Sequence, residues 1–354
     1  MTASDAQSLS MRDLLAMATA QEREEFENLW LGYTQTFGAP DLREAIAEMY
    51  QNCSMDNVLC FAGASEGIFA ANRVLLNTDS HAIAITPNYQ SHESLPLSIC
   101  NTTGVPLDPS DNWSLDIDRV AKAIKSNTKL LTINFPHNPT GAMLPADRLY
   151  ALIDLCRKYG IYILSDEIFN GLGRTGITHM PYIADIYERG LSLNVMSKAY
   201  GLPGLRIGWI VCTDSDVLSK MERTKHYLSI CNSGPSERLT KIALRNREKL
   251  LARNCKIIDQ NLVKLDAFFS RYEQLFDWYV SDGSCMAFPR YKGADGVENF
   301  TAQLLDKAGV LLLPSSIYES QLCDTPTDRF RIGFGRSGID AGLAAIDNYL
   351  VQMN

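Results

Sequence analysis

The apolar residues of this chain come in short blocks, at 58–61, 82–86, 130–135, 161–165, 191–196 and 207–212. Helical periodicity fills stretches between them, at 65–76, 118–126 and 145–159. A strand that is apolar on both faces must be covered on both faces, and a helix between strands returns the chain to start the next in the same direction. The pattern predicts an α/β fold with a mostly parallel central sheet flanked by helices. In such a sheet ligands lie beyond the carboxyl ends of the strands.

Before the blocks, residues 9–30 read as one helix, with Met11, Leu14, Leu15 and Ala18 at helical spacing and Glu22, Glu24 and Glu25 continuing it. Tyr33 to Pro40 is a turn, and Asp41 caps a helix that runs to Tyr50. After the blocks, 214–272 is mostly helical. The tail then mixes strands at 276–280, 285–289, 310–313 and 330–334 with helices near 298–308 and 338–352. This predicts an N-terminal segment over 1–40, a large α/β domain over 41–240 and a smaller α+β domain over 241–354, reached through a long linking helix.

A net charge of -8 disfavours attraction to nucleic acid and to anionic membrane. No apolar run approaches the ~18 residues of a membrane span. Residues 1–7 lack the basic region and apolar core of a signal peptide, so a cytoplasmic location is expected. The 9 cysteines form no Cys-x-x-Cys pair and read as reduced thiols, and the 5 histidines lack metal-ligand spacing, so no metal is expected.

The residues that stand out lie at the strand exits. Lys198 follows the run ending at Met196, and Arg206 opens the next. A lysine there is costly unless it is used. Desolvation lowers its pKa, and a neutral amine attacks an aldehyde. Lys198 is therefore a candidate to hold a cofactor as a Schiff base, with Arg206 on that cofactor's phosphate. Gly63-Ala64-Ser65-Glu66-Gly67 opens a helix and offers free N–H groups and a hydroxyl to an anion, or simply an N-cap. Tyr89 can lie flat on a planar ring or be an ordinary tyrosine. The breakers around Asn134-Phe135-Pro136-His137-Asn138-Pro139-Thr140-Gly141 force a bend that presents the Asn138 amide. Asp166, at the end of an apolar strand, needs a cation, either a pyridinium N–H or a structural partner. In Arg329-Phe330-Arg331-Ile332-Gly333, alternation points Arg331 and Gly333 one way and Phe330 and Ile332 the other. An inward arginine suits a carboxylate.

Taken together and in this order, the Asn138-Pro139-Thr140-Gly141 turn, the strand ending in Asp166-Glu167 and the stretch Ser197 to Trp209 resemble the class I/II aminotransferase family. These are fold-type I enzymes that use pyridoxal 5′-phosphate (PLP). The resemblance runs from about Tyr33 to the C-terminus. It implies that Lys198 forms the Schiff base and carries a proton at Cα, that Asp166 pairs with the pyridine nitrogen with His92 behind it, and that Tyr89 stacks on the ring. Asn138 would donate to the phenolic oxygen beside the substrate. Ala64 N–H, Ser65 and Arg206 would hold the phosphate, Ser197 would also contact the cofactor, and Arg331 would hold the substrate α-carboxylate. Tyr33 matches a tyrosine that reaches the neighbouring subunit's phosphate, which implies a homodimer with shared active sites.

Phe169 stands where the family usually has tyrosine, and Val195 where it often has serine or threonine. The resemblance leaves Thr2-Ala3-Ser4-Asp5 for the loop that closes over the substrate. The expected activity is amino-acid transamination. The alternative is elimination followed by ring closure on a hydroxylated arginine-type amino acid, because the surroundings of Lys198 are also similar to capreomycidine- and enduracididine-forming cyclases. Glu66, Asn170, Arg174 and Arg336 are candidates for the side-chain pocket.

Overall fold

The computed structural model describes residues 1–177, 179–279 and 283–353. The large sheet has seven strands: β1 (Val58–Phe61), β2 (His81–Thr86), β3 (Asn101–Pro106), β4 (Thr128–Asn134), β5 (Tyr162–Asp166), β6 (Gly190–Val195) and β7 (Gly208–Val211). Their order is β1-β7-β6-β5-β4-β2-β3. The expected blocks are all present, and β1, β2, β6 and β7 are buried at every residue. The helices Ala64–Leu75, Ile117–Ala123 and Ala146–Tyr159 lie where periodicity places them. One face of the sheet packs Leu59, Phe61, Leu164 and Ile210 with Ile68 and Met221. On the other, Ile83, Ile133 and Ile163 meet Leu149, Leu152 and Ile153. A third cluster runs from Trp209 and Val211 through Ile258 and Leu265 to Phe300 and Phe330 in the tail.

Several expectations change. β7 runs antiparallel to both β1 and β6. Only a turn separates β6 from β7, and without a crossover helix the chain must reverse. β3 carries no apolar run: Asn-Thr-Thr-Gly-Val-Pro is a half-exposed edge strand that, among the described residues, pairs only with β2. A helix Ser91–Leu97 follows Tyr89, with Pro96 inside it. The single helix expected over 9–30 is two, Met11–Leu15 and Ala20–Glu27. The second restarts at Thr19 with a capping box, in which Thr19 Oγ1 accepts from Glu22 N and the Glu22 carboxylate accepts from Thr19 N.

The tail strands are shorter than expected: β8 (Phe276–Asp277), β9 (Met286–Ala287), β10 (Arg290–Tyr291), β11 (Leu313–Pro314) and β12 (Phe330–Gly333). Val280, within the expected 276–280 strand, lies outside the described residues. Helices Val297–Ala308 and Ile339–Met353 match expectation, and the 214–272 stretch forms Ser215–Lys225, Gly234–Arg245 and Arg247–Arg271. Among the described residues no helix is long and apolar enough to cross a membrane.

Residues 1–7 lie across the end of β12. Gly333 N donates to Met1 O (3.0 Å), Gln7 N to Gly335 O (2.8 Å) and Ala6 N to Lys198 O (3.2 Å). This segment brings the chain's start to the lysine turn between β6 and β7.

Candidate active site

A cavity of about 490 Å³ opens where the strand exits of the sheet face the tail strands. Its wall contains Ala64, Ser65, Tyr89, Asn138, Asp166, Ser197, Lys198, Arg206 and Arg331. These come from separate elements, which explains why no local motif contains them all.

Lys198 lies on the turn after β6. Burial holds its amine below the usual lysine range, Arg331 acts in the same direction, and Asp5, Cys285 and Asp166 oppose them. Its Nζ donates to Ser4 Oγ at 2.9 Å. The Phe169 ring centre lies 6.0 Å from the amine and offers no hydroxyl. Val195 is buried in the same wall.

Asp166 closes β5 and is 1% exposed. Its Oδ2 lies 2.8 Å from His92 Nε2, and its Oδ1 accepts from Ile168 N at 3.3 Å. His92 Nδ1 is buried with no partner among the described residues, so the Nε2–H donates to the carboxylate and fixes the ring. His92 stands behind Asp166, outside the cavity wall.

Asn138 is oriented from two sides. Its backbone N–H donates to Asn134 Oδ1 at 2.9 Å, and its Oδ1 accepts from Arg331 Nη1 at 2.9 Å. With the carbonyl oxygen engaged, the amide nitrogen is left to donate. His137 braces the same turn: its Nε2 donates to Pro87 O (2.8 Å) and its Nδ1 accepts from Thr140 Oγ1 (2.8 Å). Burial lowers its pKa to about 4, so the ring stays neutral.

Arg331 points from β12 into the cavity, with Phe330 and Ile332 packed in the core as alternation requires. It is 7% exposed. Nη2 donates to Thr2 O at 2.7 Å, and Nε is buried without a partner among the described residues. No carboxylate pairs with it among the ion pairs of the described residues. A buried guanidinium held only by neutral oxygens calls for an anion.

The opposite end suits a phosphate. The helix Ala64–Leu75 starts after Gly63 without a side-chain cap, which leaves its first N–H groups open. Arg206 stands beside it, held by the Pro203 (3.3 Å) and Ala62 (3.4 Å) carbonyls, which leave its charge in place. A Cβ at Gly63 would meet Arg206 Nη2 at 2.6 Å, so glycine permits the approach. An anion cradle, a buried carboxylate backed by histidine, an outward amide and a desolvated amine together fit PLP by the chemistry of the donor set.

Tyr33 is not part of this cavity. It is 91% exposed, beside Trp30 (88%) and Leu31 (81%). The side-chain candidates fall elsewhere. Glu66 accepts from Ala62 N and Ser229 N, Asn170 braces Met180, and Arg336 pairs with Asp5 at 2.7 Å. Arg174 lines a separate, larger cavity of about 660 Å³ beside Arg247 and His179. Sequence reasoning missed Gln90, Ile317 and Tyr318, which also line the site. Tyr318 stacks under the Arg331 guanidinium (5.6 Å), and Gln90 Nε2 donates to Ile317 O (3.1 Å). Nothing local in the sequence marks these cross-chain contacts.

The sequence matches the family described as aminotransferase class I and II over residues 5–344. It is 29% identical over 332 residues to capreomycidine synthase from Streptomyces vinaceus, covering 92% of this chain and 82% of that one. It is also 29% identical over 306 residues to aspartate aminotransferase from Pyrococcus horikoshii, covering 82% of this chain and 76% of that one. The crystal structure of a PLP-dependent aminotransferase from Streptococcus suis superposes with a TM-score of 0.92 at 25% identity, over 100% of this chain and 93% of that one.

Proposed function

The chain belongs to the class I and II aminotransferase family, and from that membership we propose how its residues divide the work on an L-amino acid. It is a PLP-dependent enzyme. PLP supplies an aldehyde for an amine and a ring that withdraws electrons from Cα. In our assignment the Lys198 amine bonds that aldehyde and later moves the proton at Cα. Asp166, backed by His92, holds the ring nitrogen, and Asn138 donates to the phenolic oxygen. Tyr89 stacks on the ring. The Ala64 N–H, Ser65, Ser197 and Arg206 take the phosphate, and Arg331 takes the substrate α-carboxylate beside Asn138.

The observation that carries this assignment is that a desolvated amine, Lys198, and a buried guanidinium with no carboxylate partner among the ion pairs of the described residues, Arg331, face one cavity. An α-amino acid carries the carboxylate for one and the reacting amine and Cα–H for the other.

Transamination is the reading we favour. A second reading, elimination followed by ring closure on a hydroxylated arginine-type substrate, is supported by Phe169 at the usual tyrosine position and by the capreomycidine synthase relative. One feature weighs against it. Asp166 is the only acid among the described residues in the cavity wall, and His92 already engages it, so this protomer offers a guanidinium no carboxylate.

A homodimer with shared sites belongs to the same proposal. Its support is the exposed Trp30, Leu31 and Tyr33, next to the 227–232 segment that carries the exposed Tyr227, with Thr34 Oγ1 donating to Asn232 O. A cytoplasmic location is supported by nine free thiols.

The test is incubation with a panel of amino acids, hydroxyarginines included, with and without 2-oxoglutarate, and mass spectrometry of the products. Keto acid plus glutamate is the expected result. Loss of water without an amino acceptor would replace transamination by the second reading. Wild-type protein that shows no absorbance from a lysine–PLP bond, when Lys198→Ala is the control, would sink both.

A further inference from the structure

Lys198 is gripped at two points by one segment that the roles above leave unused. Its Nζ donates to Ser4 Oγ at 2.9 Å, and its carbonyl accepts from Ala6 N at 3.2 Å. The segment is fixed on either side of Ser4. Two residues before it, Thr2 O accepts from Arg331 Nη2 at 2.7 Å. One residue after it, the Asp5 carboxylate accepts from Arg336 Nε (3.1 Å) and Nη2 (2.7 Å). The surrounding backbone makes room for this path. A Cβ at Gly201, in the lysine's own turn, would meet Ala6 O at 2.8 Å, and one at Gly333 would run into Ala3 O.

We propose that Ser4 is a positioning residue for the proton-carrying form of Lys198, its hydroxyl receiving the ε-amine and aiming it at the substrate Cα. The proposal rests on the role assigned to Lys198 above. A lysine amine freed from a cofactor swings on a four-carbon stem, and one fixed N–H bond removes much of that freedom. The hydroxyl oxygen accepts from a neutral amine and from an ammonium alike, so the contact survives the transfer. In that transfer the Cα–H bond breaks, its electron pair passes to the PLP ring, and an N–H bond forms on Nζ. Thr2 O holds the Arg331 guanidinium and Ser4 Oγ the Lys198 amine, so one short segment touches both the carboxylate clamp and the amine.

The charged or titratable groups facing the amine are Asp5 from the same segment, Arg331 from β12, Cys285 beside it and Asp166 from β5. Asp5 is held by Arg336 and Asp166 by His92, and Arg331 is itself a donor, so Ser4 is the amine's side-chain acceptor.

The experiment uses Ser4→Ala, Ser4→Gly and Ser4→Thr. In PLP-free protein, acylation of Lys198 by acetic anhydride is followed against pH by peptide mass spectrometry. In holoenzyme, Cα–H exchange of a mixture of protein L-amino acids is followed in D2O, alongside PLP retention and melting temperature. An acceptor favours the protonated amine, so losing it moves the acylation midpoint to lower pH in both S4A and S4G, and S4T restores it. Exchange slows about tenfold, the loss of one positioned hydrogen bond, with PLP retention and melting unchanged. Agreement of the two truncations guards against one variant folding poorly. An acylation profile unchanged by S4A and S4G overturns the proposal, as does exchange present in wild type and undiminished in both. No exchange in wild type would overturn the functional reading along with it.

Discussion

Arg331 shows how much a single residue can report. Its guanidinium is buried over the Tyr318 ring, donates to the Thr2 and Asn138 oxygens, and keeps an Nε with no partner among the described residues. Truncating one partner of a buried charged pair costs roughly 2–5 kcal/mol, so Arg331→Ala should weaken amino-acid binding by about 30-fold or more. PLP affinity should not change, because the phosphate end lies across the cavity. Spectral titration with an amino acid and equilibrium dialysis of PLP separate the two; unchanged amino-acid affinity would mean that Arg331 is not the clamp. Glu167, next to Asp166 in sequence, faces the other way into the protein. It accepts from Ile183 N at 2.8 Å, and its Oε2 has no partner among the described residues. Burial raises its pKa from 4.5 to about 8. The folded protein therefore keeps a proton that the unfolded chain releases, and this contribution to stability is full below pH 4.5 and falls as pH rises toward about 8. Glu167→Gln should flatten the decline of melting temperature across that window. Parallel curves for wild type and variant would show that Glu167 is ionised in the folded state.

Elements differ in how plainly the sequence announces them. β1, β2, β4, β5, β6 and β7 were legible because a doubly covered strand must be apolar on both faces. β3 was not, since an edge strand is free to be polar, and neither was the break at Thr19, where a capping box restarts a helix within continuous periodicity. The site divides on the same physical line. Lys198, Asp166 and Arg331 stood out because burying them without a partner is costly, and Asn138 because the prolines and glycine around it force a bend, whereas Ser4 and Gln90 are ordinary polar residues whose meaning comes only from what lies opposite. The segment 1–7 was the least legible, being held mainly by backbone groups. Its fit can be broken from the other side. Gly333→Ala would push a methyl into the Ala3 carbonyl, so the segment should lift away from β12. The Ala6 and Gln7 amides, now bonded to Lys198 O and Gly335 O, should then exchange with solvent at least about tenfold faster. Unchanged protection of both amides would show that the segment does not depend on that close approach.

At the scale of the whole molecule, the proposed site lines one cavity of a single chain, and the exposed Trp30 and Tyr33 lie outside it. Trp30, Leu31 and Tyr33 are 81% exposed or more and belong to a segment anchored to 232 by Thr34. A symmetric pair places the same patch on both copies, so whatever one protomer lends it also receives. If Tyr33 donates to the partner's phosphate, Tyr33→Phe loses a hydrogen bond to a charged group, about 1.5–3 kcal/mol, and PLP should dissociate about ten- to a hundredfold more readily. Light scattering should report two chains. The sharper measurement is complementation. Tyr33→Phe and Arg206→Ala damage the same phosphate site from different protomers in a shared arrangement, but from the same protomer in a separate one. Mixing and re-pairing the two weakened proteins should therefore create one intact site per mixed dimer, and PLP retention should rise above that of either parent. A mixture that retains no more PLP than its parents, or a fully active monomer, would confine Tyr33 to its own chain.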